Sequence, residues 1–114
     1  MGDRHRVILR QRARGDVEAA VDWYRDDARE TTALRFVDAV EAALAHVGQY
    51  PGSGSPRYSV ELQIPGLRCW PLASSPYLIF YVERDDHVDV WRLLHAHRDV
   101  PAWMRDPDEA TAQS

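Results

Sequence analysis

The distribution of apolar positions divides the chain into a short extended segment, two helices and a run of strands. Val7, Ile8 and Leu9 form a brief apolar block between arginines, within His5 to Arg12. Its β-branched pair favours a strand over a helical turn. From Asp16 the period changes, with Val17, Ala20, Val21, Tyr24 and Ala28 recurring at spacings of three and four. That pattern predicts an amphipathic helix with Asp16 as its capping residue. After the polar stretch Asp26 to Glu30, Thr31 or Thr32 is placed to cap a second helix. Ala33, Val37, Val40, Leu44 and Val47 carry its apolar stripe, and Phe36 and Ala43 widen it to core-facing width. Gly48 and then Pro51 supply the stop. Two helices joined by a short polar link are expected to form an antiparallel hairpin.

Pro51 to Ser59 (PGSGSPRYS) reads as a loop from its glycine, serine and proline. Beyond it the pattern is extended. Leu67 to Leu72 predicts a strand, and the unbroken apolar run Tyr77 to Glu83 predicts a central strand buried on both faces. Asp85 and Asp86 make a tight turn, from which Val88 to Leu94 returns as a hairpin partner. Strict alternation puts Val88, Val90 and Arg92 on one face and Asp89, Trp91 and Leu93 on the other. The order is β-α-α-β-β-β, ending in a short piece from Pro101 to Arg105. The expected architecture is α+β, a helical hairpin on one face of a mostly antiparallel four-stranded sheet.

At 114 residues the chain fits one domain, expected over 1–105, that buries roughly two-thirds of its unfolded surface. The polar tail 106–114 is expected to fray. Cys69 is the sole cysteine, which excludes an internal disulfide and suits a reducing compartment. The arginine-rich start lacks an apolar signal region, and no apolar run is long enough to span a bilayer, so the expected address is the cytoplasm. All fourteen basic residues are arginine, eighteen residues are acidic, and the formal net charge is −4. Proteins that hold nucleic acid by its phosphates carry a net basic domain or a dense basic stripe. Neither is present beyond Arg4, Arg6, Arg10, Arg12 and Arg14, so no direct nucleic-acid binding is expected. No Walker loop or dinucleotide fingerprint occurs, and no cofactor is expected.

Several segments resemble the ParE/RelE toxins, the killing halves of bacterial toxin–antitoxin pairs. Arg35 to Leu44 (RFVDAVEAAL) is similar to the second helix of that family. Tyr50 to Gly54 (YPGSG) resembles its F/Y-P-G-x-G loop. Gly66 to Arg68 (GLR) followed by Tyr77 to Tyr81 (YLIFY) resembles its third-segment strand pair, and Leu94 to Asp99 (LHAHRD) its L-H-x-x-R-D ending. The resemblance runs from Val7 to Trp103. RelE-like members cut mRNA on the ribosome with basic side chains and an acid/base near the 2′-hydroxyl. Their third-strand arginine falls at or beside Leu78, their C-terminal tyrosine near Trp103 or Met104, and only Arg98 lands on a RelE basic position. The resemblance therefore implies the ParE branch: a non-enzymatic inhibitor of DNA gyrase, neutralised by a ParD-like antitoxin of ribbon-helix-helix type. A RelE-like ribosome-dependent endonuclease and a non-toxic binding module are the alternatives.

The candidate residues follow from position and chemistry. His95 and His97 face one side of a strand with Asp99 next in line, an arrangement that could serve a metal or an acid/base pair, but with no further cluster pointing toward them it reads first as a packed His95 and a solvated His97. Arg98 and Asp99 suit a contact with target or antitoxin, or a structural pair that closes the last strand. Arg68 joins this group from the GLR segment. Trp103 is a candidate exposed anchor, and Trp23, Tyr24 and Trp70 are candidate antitoxin-groove residues, since tryptophan is enriched at binding hot spots. Trp91 reads as core under the helices. Cys69 reads as an inert strand cysteine.

Overall fold

The structure is a computed structural model that describes residues 5–27, 30–96 and 104. Strand β1 spans Arg6–Leu9, helix α1 Gln11–Asp27 and helix α2 Glu30–Gln49. A 3₁₀ turn covers Pro51–Ser53 and a short helix, α3, covers Arg57–Glu61. Strands β2 (Leu67–Pro71), β3 (Tyr77–Glu83) and β4 (His87–His95) complete the described elements. The sheet order is β1-β4-β3-β2, with β1 parallel to β4 and the other pairs antiparallel. The expected α+β layout is what the chain adopts.

Helices α1 and α2 lie over one face of the sheet. Ala13 and Ala20 of α1 and Phe36, Val40, Ala43 and Val47 of α2 meet Ile79 and Tyr81 of β3 and Val88, Val90 and Leu93 of β4. Each fully buried valine or phenylalanine in such a layer contributes about 1.5–3 kcal/mol. Successive β3 residues alternate between two cores, because Leu78, Phe80 and Val82 join Leu67, Cys69 and Leu94 on the opposite face. The run YLIFYVE is apolar throughout for that reason: neither face of β3 meets water. The second face is covered by Tyr58, Leu62, Ile64, Trp91 and Met104.

Four expectations are corrected. Helix α1 begins at Gln11, so Asp16 sits inside it and not at its cap. Fully buried Ala13 extends the apolar stripe one turn earlier than the bulkier side chains reveal. Helix α2 is under way at Glu30, which places an acid at the positive helix end and leaves Thr31 and Thr32 inside. The segment read as loop, Pro51 to Ser59, runs into the first turn of α3, because Tyr58 and the following Leu62 and Ile64 must cover apolar sheet surface. Finally, Phe80 pairs with Arg92 and Tyr81 with Val90, so Trp91 is an extra residue in β4. This bulge breaks the alternation: Leu93 turns to the helices and Trp91 lies on the far face. The tail 106–114 and the segment from Pro101 to Trp103, with Arg105, lie outside the described residues.

Candidate functional site

Three segments that carry the sequence resemblance meet at one buried point. The Tyr81 hydroxyl donates to the Pro51 carbonyl at 2.7 Å and accepts the Gly54 N–H at 3.0 Å. The Arg68 guanidinium donates to the Gly54 carbonyl at 2.8 Å. Ser55 and Cys69 exchange backbone hydrogen bonds at 2.8 and 2.9 Å, which stitches the loop to β2. The YPGSG loop, the GLR strand and the last tyrosine of YLIFY thus form a latch. Arg68 holds a loop carbonyl here, a role its sequence position alone did not reveal. Cys69 is buried, and that burial pushes its thiol pKa up despite the opposing pull of Arg57. Such a thiol is a poor nucleophile near neutral pH.

A cleft of about 610 Å³ opens at the far end of β3 and β4. Its walls come from Ala19, Trp23 and Tyr24 of α1, Pro76 and Tyr77 at the start of β3, and Leu93 and His95 of β4. Tyr24 packs against Phe36 at 5.0 Å and lies 6.4 Å from Tyr77, while Tyr77 meets His95 edge-on at 5.2 Å. Trp23 meets Tyr24 at 5.2 Å and keeps 56% of its surface exposed. Tryptophan needs no exposure to fill a core, so this ring is available to a partner. Three sequence candidates, Trp23, Tyr24 and His95, come together here. Trp70 does not join them: it stacks on His46 of α2 at 4.0 Å. His46 is ten residues from Phe36, about 15 Å along the helix. His97, Arg98, Asp99 and Trp103 lie outside the described residues.

The far face of the sheet carries a charge cluster that the sequence did not signal. Asp89 accepts two hydrogen bonds from Arg10, two from Arg84 and one from the Trp91 indole, at 2.9 to 3.2 Å. Arg10 also lies 4.0 Å above the Trp91 ring. Burial pushes the Asp89 carboxyl pKa up, but the Arg10 and Arg84 hydrogen bonds outweigh it and hold the group below its usual value. A carboxyl depressed in the folded state stabilises the fold above its unfolded pKa, about 3.9, and that contribution is lost as pH falls through the folded value. Urea unfolding followed from pH 6 to pH 2 is therefore expected to show steeper acid destabilisation in the native chain than in Asp89→Asn. Equal slopes would remove Asp89 from the acid response.

The sequence profile described as the ParE toxin of the type II toxin–antitoxin system, parDE, matches residues 7–100. The chain belongs to the ParE toxin family. Ten chains of solved structures match it as well. One, from the chromosomal ParDE toxin–antitoxin system of P. aeruginosa, superposes with a TM-score of 0.69 at 19% identity. The superposition covers 82% of this chain and 97% of the other, so the two share the ParE fold. No curated protein matches the sequence. Within this ParE chain the segments that resemble the family meet in the buried latch, and the aromatic cleft is open to solvent. Among the described residues no three histidine, cysteine or acidic groups gather as a metal site, and no helix is long and apolar enough to cross a membrane.

Proposed function

We propose that this ParE-family chain is a cytoplasmic toxin that acts by binding a protein target, with DNA gyrase as that target and a ParD-like antitoxin as its neutraliser. The observation that carries the reading is Leu78. In the ribonuclease branch a catalytic arginine stands at or beside this position, whereas here it is a buried leucine among Leu67, Phe80 and Leu94. Met104, near the place of the ribonuclease tyrosine, packs on the same apolar cluster. Apolar side chains offer neither phosphate binding nor proton transfer, so the chain brings surfaces and not acid/base chemistry to its target. The antitoxin tail would lay an apolar helix along the α1–α2 hairpin, where Leu34 is exposed and Val21, Ala33 and Val37 line a shallow groove.

Pulse-labelling after induction of the chain without antitoxin separates the readings. Thymidine incorporation is expected to fall first while methionine incorporation continues, and purified gyrase is expected to accumulate cleaved DNA in the presence of the chain. A first collapse of methionine incorporation would overturn the binding mechanism in favour of ribosome-dependent RNA cleavage. No effect on either label would point to a non-toxic binding module.

A further inference from the structure

We propose that the cleft walled by Trp23, Tyr24, Tyr77 and His95 accepts an arginine- or lysine-bearing segment of a partner protein. The first argument is the lining. Among the described residues it contains aromatic rings, small aliphatic surfaces and one carboxylate, Asp16, but no arginine. Asp16 is already neutralised by Arg92 through hydrogen bonds of 2.7 and 2.8 Å. The floor is therefore a weakly polar, ring-lined surface suited to the methylene stem of a long basic side chain.

The second argument is the rim. Ala19 and Trp23 lie four apart on the cleft side of α1, and Asp22 and Asp26, also four apart, follow on its solvent side. Both carboxylates are exposed. Among the described residues Asp22 is met only by Arg25, at 3.6 Å and in full view of solvent, and Asp26 forms no ion pair. A guanidinium or ammonium group whose stem crosses the Trp23 ring would end between these carboxylates. It would gain the ring quadrupole and the acidic rim together. An anionic segment meets repulsion at the same place. The net charge of −4 favours a basic partner at longer range as well. The inference concerns the chemistry of the docking segment and does not depend on gyrase being the target.

The test uses the full ¹⁵N-labelled chain and three acetylated, amidated tetrapeptides: tetra-arginine, tetra-glutamate and an alternating leucine–serine peptide. Tetra-arginine is expected to shift the Trp23 indole N–H and the Tyr24 and Tyr77 amides along a saturating curve, and to lose affinity as salt is raised. Trp23→Leu should weaken it about three- to fivefold, and Trp23→Phe less, following the order of ring quadrupoles. Asp22→Asn with Asp26→Asn should flatten the salt dependence. Trp23, Asp22 and Asp26 are all exposed, so these variants keep the core intact. Tighter binding of the leucine–serine or tetra-glutamate peptide would overturn the proposal. So would tetra-arginine shifts that do not saturate or that survive Trp23→Leu unchanged.

Discussion

Gly54→Ala is expected to destabilise the chain by about 3 kcal/mol, among the largest effects available to a single methyl group. The backbone at Gly54 is extended, with φ −70° and ψ 158°, so conformational freedom is not the reason for glycine here. Space is. A Cβ at this position would run into the Tyr81 hydroxyl, and would lie 2.9 Å from the Cys69 carbonyl and 3.0 Å from Tyr81 Cε1. Neither neighbour yields easily. Cys69 belongs to β2, and Tyr81 is fully buried with its hydroxyl held by two backbone groups. Relief requires the loop to lift away, which gives up the hydrogen bonds from Gly54 to Tyr81 and from Arg68 to Gly54. Tyr81→Phe is expected to cost less, about 1–3 kcal/mol, because it leaves the Gly54 N–H and Pro51 carbonyl unpaired but creates no overlap. It also removes the atom that the new methyl group would strike. The two substitutions together should therefore cost less than the sum of each alone, the mark of a shared contact. Urea unfolding of the four proteins measures this directly. Strict additivity would mean that Tyr81 is not what excludes a side chain at Gly54.

The latch also explains which parts of the chain were legible in the sequence. Strand β3 and helix α2 were readable because each carries enough apolar residues for its period to decide the matter. The YPGSG and YLIFY segments were readable as a resemblance, although their pairing through Tyr81 and Gly54 is a tertiary fact that no local pattern contains. Features set by contacts distant in sequence were missed. The start of α1 rests on Ala13, a residue too small to mark a stripe by hydrophobicity. Helix α3 is specified by the sheet surface it covers and not by its own composition, which reads as turn. The bulge at Trp91 shifts the face of Leu93 without leaving a glycine or proline to announce it. Asp89 is one acid among eighteen until β1, β3 and β4 bring Arg10 and Arg84 to it. The placement of Trp23 and Tyr24 at the edge of the α1 stripe was legible, because a tryptophan beside a core tyrosine on a helix sits at the boundary between buried and exposed faces.

Asp16→Ala is expected to cost about 3–5 kcal/mol, more than its place on a helix with solvent nearby would suggest. Asp16 accepts Arg92 Nε at 2.7 Å and Arg92 Nη2 at 2.8 Å, and it also accepts the Leu93 N–H at 3.0 Å. The Arg92 side chain is only 7% exposed and that of Asp16 16%, so removal of the carboxylate takes a two-point, little-solvated acceptor away from a buried guanidinium. The backbone contact gives the pair a second role. Strand β1 pairs with β4 only as far as Leu9 opposite Val90, so beyond that point no strand among the described residues lies beside the outer edge of β4. Asp16 takes over there, and its carboxylate satisfies the Leu93 amide just past the bulge. A side chain on α1 thereby completes the edge of a sheet that its own strand partner leaves unfinished. Asp16→Asn keeps the shape and one acceptor oxygen, and should lose less than alanine. Replacing both partners, Asp16→Leu with Arg92→Met, should recover much of the loss, because an apolar pair of similar volume removes the buried charge along with its partner. If Asp16→Ala unfolds within 1 kcal/mol of the native chain, the pair is solvated in solution and β4 holds its edge by other means. If the apolar pair fails where Asp16→Asn succeeds, the Leu93 hydrogen bond, and not the charge, is what the position requires.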